Sequence, residues 1–162
     1  CERVFAADLG GHSLVSNKSV WRQFPLLRNE RWSARPPRSG CAVLLGDALR
    51  TVHFSIGSGT RLAFEDAIAL ERAFAERGDD VPLALAAFER ERRPVVEKLL
   101  AAAKASSYWY ERFSEKMALE PWQLAYDYMT RSGRMPDERL RQMAPKFMAQ
   151  VEAARAAARA RA

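Results

Sequence analysis

The sequence predicts an α/β fold that is mostly helical in this stretch and carries only a few strands. Residues 41–45 form an apolar run that ends at Gly46-Asp47, and such a run suits a strand buried on both faces of a parallel sheet. A glycine-containing loop follows, and a helical pattern opens at about Thr60. Beyond it, apolar residues recur at helical spacing as far as Val151. Strand, acidic turn, glycine loop and helix start is the order that nucleotide-type cofactor sites use.

The first forty residues predict short elements and a long connection. Residues 2–9 are typical of the end of a helix, which Gly10-Gly11 breaks. Residues 19–27 alternate enough between their two faces to predict an antiparallel strand with both faces partly covered. Residues 28–40 are rich in Arg, Pro and Ser and predict a connection that crosses the surface.

Two helices are predicted after the glycine loop. The first ends at Gly78, and Asp79-Asp80 offers an N-cap for the second, which begins at Val81-Pro82. The charged run 89–93 predicts a solvated face with salt bridges. Each helix has apolar residues at helical spacing. They are Ala63, Ala67, Leu70 and Phe74 on the first, and Leu85, Phe88, Val95 and Leu99 on the second.

Aromatic side chains concentrate in the last third of the chain. Their helical spacing predicts that they pack in a core, and a wall against another domain or a dimer contact is the alternative. They are Tyr108, Trp109, Tyr110, Phe113, Trp122, Tyr126 and Tyr128.

Composition limits the partners and the chemistry. The chain has 162 residues, 48% of them hydrophobic, and a net charge of +6, which admits nucleic acid or a phosphate-bearing cofactor as partner. Cys1 and Cys41 give neither a disulfide framework nor a zinc pattern, and Cys41 is expected to be buried in its strand. His12 and His53 lack the carboxylate spacing of a metal site, so no metal is expected. With no signal peptide and no apolar stretch of about 18 residues, the sequence predicts a cytoplasmic protein.

The turn and loop after the apolar run have the chemistry of a cofactor site. An ionised Asp47 accepts hydrogen bonds from sugar-type hydroxyls, and Gly46 lets the chain turn and a ligand come close. Gly57 and Gly59 do the same before the next helix, whose free N–H groups and dipole favour an anionic or electron-rich group. The spacing G-S-G by itself fits an ordinary strand–turn–helix connection at least as well.

The residues themselves are more specific than their spacing. Residues 46–70, GDALRTVHFSIGSGTRLAFEDAIAL, resemble the second flavin-binding motif of the FAD-dependent aromatic hydroxylases, the single-component class related to para-hydroxybenzoate hydroxylase. HFSIGSGT followed by EDAIAL is similar to the aryl-CoA hydroxylases of that class, which include salicyloyl-CoA 5-hydroxylases and anthraniloyl-CoA monooxygenases. Residues 17–21, 28–32, 88–94 and 129–134 also resemble this subgroup. Leu49-Arg50 and Arg61 depart from the residues that many relatives carry.

The resemblance implies a fold and a division of the chain. The fold would be the C-terminal part of an FAD-binding, glutathione-reductase-like domain, with strands from the FAD and substrate sheets. Residues 1–40 would end the substrate-binding domain and cross back, residues 41–105 would belong to the FAD-binding domain, and residues 106–162 would be a helical extension. The G-x-G-x-x-G of the pyrophosphate site is expected upstream of Cys1 in a longer enzyme, and this portion alone is expected to be inactive.

The resemblance also implies roles for individual residues. Asp47 would bind the ribityl chain of FAD, and His53 would either hydrogen-bond substrate or hold the loop. Arg93 would be structural. The backbone along the isoalloxazine ring would come from Ile56, Gly57, Ser58, Gly59 and Thr60, with Gly46 at the preceding turn.

The implied activity is hydroxylation of an aromatic ring by NADH or NADPH and O2 through a flavin C4a-hydroperoxide. The subgroup implies an aryl-CoA thioester as substrate, and a free aromatic or indole-type metabolite is the alternative. No nucleic-acid or membrane partner is expected, and a homodimer is compatible with the sequence. A basic helical module that binds nucleic acid or protein is the alternative from another class. Four arginines would be candidates to contact coenzyme A or a pyrophosphate, with a solvated loop as the alternative: Arg28, Arg31, Arg35 and Arg38.

Overall fold

A computed structural model describes residues 1–17, 20, 23–35 and 40–160. The described part is mostly helical, as predicted, with two short strands and one 3₁₀ turn, Phe54–Ile56. The strands are β1, Ser33–Ala34, and β2, Ala42–Val43. The helices are α1, Ala6–Leu9; α2, Gly46–Leu49; α3, Gly59–Arg77; α4, Val81–Glu111; α5, Phe113–Lys116; α6, Pro121–Thr130; α7, Asp137–Met143; and α8, Pro145–Arg159.

Helices α3 and α4 form an antiparallel pair around which the first core is built. Helix α3 begins at Gly59, one residue before the predicted start, and ends at Gly78 as predicted. The predicted N-cap of α4 is confirmed, since the Asp80 side chain accepts a hydrogen bond from the Leu83 amide at 3.1 Å. The core between the helices also takes in side chains from the segments before α3. Its buried residues are Trp32, Leu49, Leu62, Ala69, Ala73, Ala84, Phe88, Val96 and Leu99.

Replacing Asp80 by Ala should lower the free energy of unfolding by about 1 kcal/mol, because an orphan amide of α4 loses its acceptor. Chemical denaturation of the purified protein measures the change. Asp79→Ala is the matched control, since the neighbouring aspartate has no part in this cap. Equal losses in the two variants would show that charge near the helix start matters and the cap does not.

The prediction that residues 41–45 form a strand buried on both faces of a parallel sheet is wrong. Only Ala42–Val43 is a strand, and it pairs antiparallel with β1, with Ser33 opposite Val43. Cys41 is exposed, against the prediction. A central strand is buried by neighbours on both edges and layers on both faces. Within the described residues β2 has one neighbour, so the apolar run is only half-covered.

The predicted strand at residues 19–27 is also wrong where it can be compared. Residue 20 and residues 23–27 belong to no strand, and Phe24 and Leu26 are each 71% exposed. Ser19, Trp21 and Arg22 lie outside the described residues. The end of this segment is tied to the chain after α2, where the Thr51 amide donates to the Leu27 carbonyl at 2.9 Å.

The buried stripe of α3 lies one position before the predicted one, whereas the stripe of α4 is confirmed except at one residue. On α3 the buried residues are Leu62, Asp66, Ala69 and Ala73. On α4 the predicted Leu85, Phe88 and Leu99 are buried, but Val95 is 42% exposed and Val96 is buried in its place. Arg92 is 6% exposed, so the prediction that the whole run 89–93 is solvated is wrong. On α3 the prediction placed only apolar residues inside, and it missed the true stripe by one position because the buried Asp66 occupies that stripe.

Arg93 has structural contacts, as expected. Its Cζ lies 5.0 Å from the centroid of the buried Trp32 ring, and its guanidinium donates to the Glu30 carbonyl at 2.9 Å. Among the candidate anion-binding arginines, Arg28 instead pairs with Glu97 at 3.2 Å, and Arg38 lies outside the described residues.

The C-terminal helices pack around a second, smaller core. Tyr126 and Arg155 both contact the Asp137 carboxylate, and the hydrogen bond from Tyr126 followed by the ion pair with Arg155 lowers the pKa of Asp137. Helix α4 runs without a break through residues 105 and 106, so the predicted division there stays a prediction. The buried residues of this core are Leu140, Met148 and Val151, with Trp122, Tyr126 and Phe147 packed against them.

The aromatic residues of α4 to α6 are less buried than predicted. Trp109 is 7% exposed and donates its indole N–H to Asp127 at 2.7 Å. Tyr108, Tyr110, Phe113 and Tyr128 are all exposed, so the core prediction holds for Trp109 and fails for these four. Arginine side chains cover part of the three tyrosine rings, which lets these rings remain at the surface.

None of the helices in the described part of the chain has both the length and the hydropathy that crossing a membrane requires.

Candidate functional site

The turn at Gly46 is held on both of its backbone groups. The Gly46 amide donates to Asp66 Oδ2 at 3.2 Å, and its carbonyl accepts from Arg50 Nη1 at 2.8 Å. Its φ is +55°, and a Cβ built there would lie 3.1 Å from the Ala63 Cβ. Glycine is therefore required both by the backbone conformation and by the contact with α3.

The groups that hold Gly46 belong to a buried charged cluster. Asp66 is 0% exposed and lies 2.7 Å from Arg50 and 3.1 Å from Arg92, which are 2% and 6% exposed. Arg92 also contacts Glu65 at 3.0 Å. Removing one partner from such a cluster leaves an uncompensated charge in the core, which is strongly destabilising.

Sequence reasoning missed this cluster, although a signal for it exists. Asp66 lies four residues after Leu62 and three before Ala69, so it interrupts an apolar stripe. Arg92 does the same between Phe88 and Val96 on α4. Opposite charges that interrupt the apolar stripes of two successive helices predict a buried ion pair between those helices.

Asp47 is presented to solvent by the same turn. It lies in the first turn of α2 and is exposed, and among the described residues its carboxylate has no hydrogen-bond or ion-pair partner. Its backbone is fixed through Gly46, while its acceptor atoms remain available. This is the arrangement expected of a residue that binds hydroxyl groups of a ligand.

The loop between α2 and α3 is ordered by local hydrogen bonds. His53 Nδ1 accepts from the Ser55 amide at 3.2 Å and so caps the 3₁₀ turn, and its ring stacks on Phe54 at 4.5 Å. In neutral His53 the proton is therefore on Nε2. Gly57 has φ +58°, which lets the chain leave the turn toward α3. The Ser55 hydroxyl is buried and has no partner within the described structure.

The start of α3 leaves backbone donors available. The first intrahelical bond is from the Leu62 amide to the Ser58 carbonyl at 3.0 Å. No described side chain caps this end, because the hydroxyl of the buried Ser58 instead donates to the Ile56 carbonyl at 3.2 Å. The amides of Gly59 and Thr60 precede that first bond, and the helix dipole gives them a partial positive charge.

These features fit the flavin cofactor that the motif implies. A flavin with its sugar chain needs acceptors for hydroxyl groups, donors for ring carbonyl oxygens, and backbone without side chains close to a flat ring. Within the described residues Asp47 is an acceptor without a partner, the start of α3 supplies donors, and Gly57 and Gly59 present bare backbone. The structure brings α2 and the beginning of α3 together, as the Gly46 to Ala63 approach shows. The cofactor-binding roles of residues 46, 47 and 56–60 and the role of His53 toward substrate remain predictions.

Two cavities flank the loop. One, of about 200 Å³, is lined by His53 together with Leu26, Leu27, Thr51, Leu100 and Lys104. The other, of about 300 Å³, is lined by Ser55 and Ile56 together with Arg131, Arg134 and Arg139. Among the described residues, no group of His, Cys, Asp and Glu side chains is arranged to hold a metal ion.

Comparison with known proteins gives a family match and several relatives. The family described as "FAD binding domain" matches residues 11–103. Salicyloyl-CoA 5-hydroxylase of Streptomyces sp is 44% identical over 133 residues, which are 81% of this chain and 25% of that protein. A 3-hydroxy-4-methyl-anthranilyl-[aryl-carrier protein] 5-monooxygenase of Streptosporangium sibiricum is 40% identical over 131 residues, 81% of this chain and 35% of that protein.

A third relative is named for a different substrate. Protodeoxyviolaceinate monooxygenase of Chromobacterium violaceum is 38% identical over 135 residues, 83% of this chain and 35% of that protein. The chain thus spans between 25% and 35% of the length of these three relatives.

Proposed function

This chain belongs to the FAD binding domain family, and we propose that it forms the flavin-ring side of an FAD-dependent monooxygenase that hydroxylates an aromatic ring. The three relatives are each named as a hydroxylase or a monooxygenase, which supports this activity for the intact protein. The proposal includes the glutathione-reductase-like fold of the complete FAD domain. The family match also argues against a basic module that binds nucleic acid.

The observation that carries the proposal is the turn at Gly46-Asp47. The buried Asp66 and Arg50 fix Gly46, and Asp47 stands exposed beside the uncapped start of α3. Asp47 then accepts hydrogen bonds from the ribityl hydroxyls, and the backbone of residues 56–60 lies along the isoalloxazine ring. The partial positive charge at the start of α3 stabilises negative charge on the ring.

Bound FAD supplies the redox chemistry, with NADH or NADPH as reductant and O2 as oxidant. The residues of this chain hold the ring and shape its electrostatics. His53 holds the loop through Nδ1, and its Nε2–H remains available on a ring that lines the cavity of about 200 Å³. In the proposal this N–H donates a hydrogen bond to the substrate.

The substrate proposed is an aryl thioester of coenzyme A. Two of the three relatives are named for thioester carriers, one for coenzyme A and one for an aryl-carrier protein. The third is named for protodeoxyviolaceinate, which favours a free aromatic or indole-type metabolite as the second candidate. Flavin-dependent NAD(P)H oxidation measured with an aryl-CoA and with its free acid separates the candidates. Stimulation by the free acid alone would contradict the thioester.

Replacing Asp47 by Ala in the intact protein should weaken FAD retention by about tenfold or more, because hydrogen bonds to a charged acceptor are lost. The FAD content of the purified protein, read from its visible absorbance, measures the effect. Asp8→Ala is the control, since Asp8 is likewise an exposed aspartate in the first turn of a four-residue helix, but its helix α1 has no buried residue among those described. Normal FAD content in Asp47→Ala would remove Asp47 from the ribityl site.

A further inference from the structure

Arg131 joins the C-terminal helices to the loop that is proposed to hold the flavin ring. Its Nη2 donates to the Ser55 carbonyl at 3.1 Å, across 76 residues of sequence. Its Nε donates to the Ser106 hydroxyl at 3.0 Å, and its Nη1 donates to the Tyr128 carbonyl at 2.7 Å. One guanidinium therefore links the 3₁₀ turn, α4 and the end of α6.

Contacts outside the loop fix the orientation of the Arg131 guanidinium. Its Cζ lies 3.9 Å from the centroid of the Tyr128 ring and 5.5 Å from that of Tyr110. Ser106, which holds Nε, is 0% exposed, so this anchor belongs to the interior of the C-terminal part. Among the ion pairs of the described residues none involves Arg131, so its donors are directed at neutral oxygen atoms. A planar fork held in this way keeps one orientation.

Ser55 is held on both of its backbone groups, as Gly46 is. Its amide donates to His53 Nδ1 at 3.2 Å, and its carbonyl accepts from Arg131. Ser55 immediately precedes residues 56–60, whose backbone is proposed to lie along the ring. Without Arg131, the carbonyl loses its partner and the turn is held from one side only.

We propose that Arg131 is a positioning residue for the flavin-binding loop, so that helices beyond the family match at residues 11–103 take part in the flavin site. This inference rests on the proposed function. It gives a role to the segment 129–134, which the sequence singles out and which the site described above leaves unused. Arg131 acts through the backbone of Ser55 and has no assigned contact with the cofactor.

The test compares Arg131→Met and Arg131→Lys with wild type in the intact, FAD-loaded protein. The matched control is Arg112→Met, because Arg112 also follows a helix and stacks on a tyrosine, with its Cζ 5.6 Å from Tyr108, but it pairs with Glu115 and not with the loop. The FAD dissociation constant, the visible spectrum and the midpoint potential of bound flavin are measured together with the Tm.

Arg131→Met should weaken FAD binding about tenfold and change the spectrum and potential of the flavin that remains bound. Arg131→Lys should restore only part of the binding, since a single ammonium cannot keep the fork geometry to three oxygens. Arg112→Met should match wild type in the flavin readouts. If Arg131→Met does not fold, Arg131→Lys decides by the same readouts.

Wild-type spectrum, potential and dissociation constant in the Arg131 variants would overturn the inference alone, and so would a lower Tm with unchanged flavin readouts. A wild-type protein that takes up no FAD would overturn the proposed function as well.

Discussion

Replacing Asp66 by Ala is expected to lower the free energy of unfolding by about 3–5 kcal/mol, because two arginines then remain in the core without their carboxylate. Arg50 and Arg92 are 2% and 6% exposed, and Asp66 is the shared partner of both. The change also removes the acceptor for the Gly46 amide, so FAD content should fall together with stability. Chemical denaturation followed by tryptophan fluorescence measures the loss, since Trp32 is buried against Phe88 in this core.

Glu65→Ala is the control for this prediction. Glu65 precedes Asp66 on α3 and contacts Arg92 at 3.0 Å, but its side chain is 33% exposed. Its loss should therefore change stability by less than about 1 kcal/mol. Similar losses in both variants would mean that the buried cluster is no more important than a surface ion pair.

Gly46→Ala should lower the free energy of unfolding by about 2–4 kcal/mol and reduce FAD retention. The positive φ of +55° is unfavourable for alanine, and the added Cβ would meet the Ala63 Cβ at 3.1 Å. Relief requires the turn to move away from α3, which carries Asp47 out of its position. Denaturation and FAD titration of the same preparation measure the two effects.

Gly133→Ala separates the two causes. Gly133 also has a positive φ, +68°, but a Cβ there meets nothing within 4 Å among the described residues. It should show only the backbone effect on the free energy of unfolding, about 1–2 kcal/mol. If Gly46→Ala loses no more stability than Gly133→Ala, the close approach of Gly46 to α3 has no importance for the fold of the turn.

Signals within a few residues predicted the helical part of the fold well. The start of α3 at Gly59, its end at Gly78 and the Asp80 cap follow from the conformational freedom of glycine and the acceptor of aspartate. The sequence also predicted that Gly46-Asp47 and the start of α3 belong to one site, but it did not predict the contact of Gly46 with Asp66, 20 residues away. The burial of residues 41–45 was wrongly predicted, because it depends on neighbours that these residues do not themselves specify.

The parts of the site that escaped prediction depend on contacts between distant residues. Asp66 and Arg92 are polar residues on apolar stripes, and their burial is decided only when α3 and α4 pack together. The residues around Arg131 give no sequence signal for its hydrogen bond to the Ser55 carbonyl. For His53 the resemblance implies either a hydrogen bond to substrate or a role in holding the loop, and the contact of Nδ1 with the Ser55 amide is of the second kind.

Helix α4 sets the spacing between the contacts that hold the backbone of Gly46 and those that hold the backbone of Ser55. Arg92 belongs to the cluster at Gly46, and Ser106 orients the side chain that reaches Ser55. Ser106 lies fourteen positions after Arg92, which is close to four full turns of helix, so the two side chains lie on the same face of α4. Deleting one residue between them would rotate Ser106 by about 100° relative to Arg92. The number of residues between Arg92 and Ser106 is therefore constrained by both contacts at once.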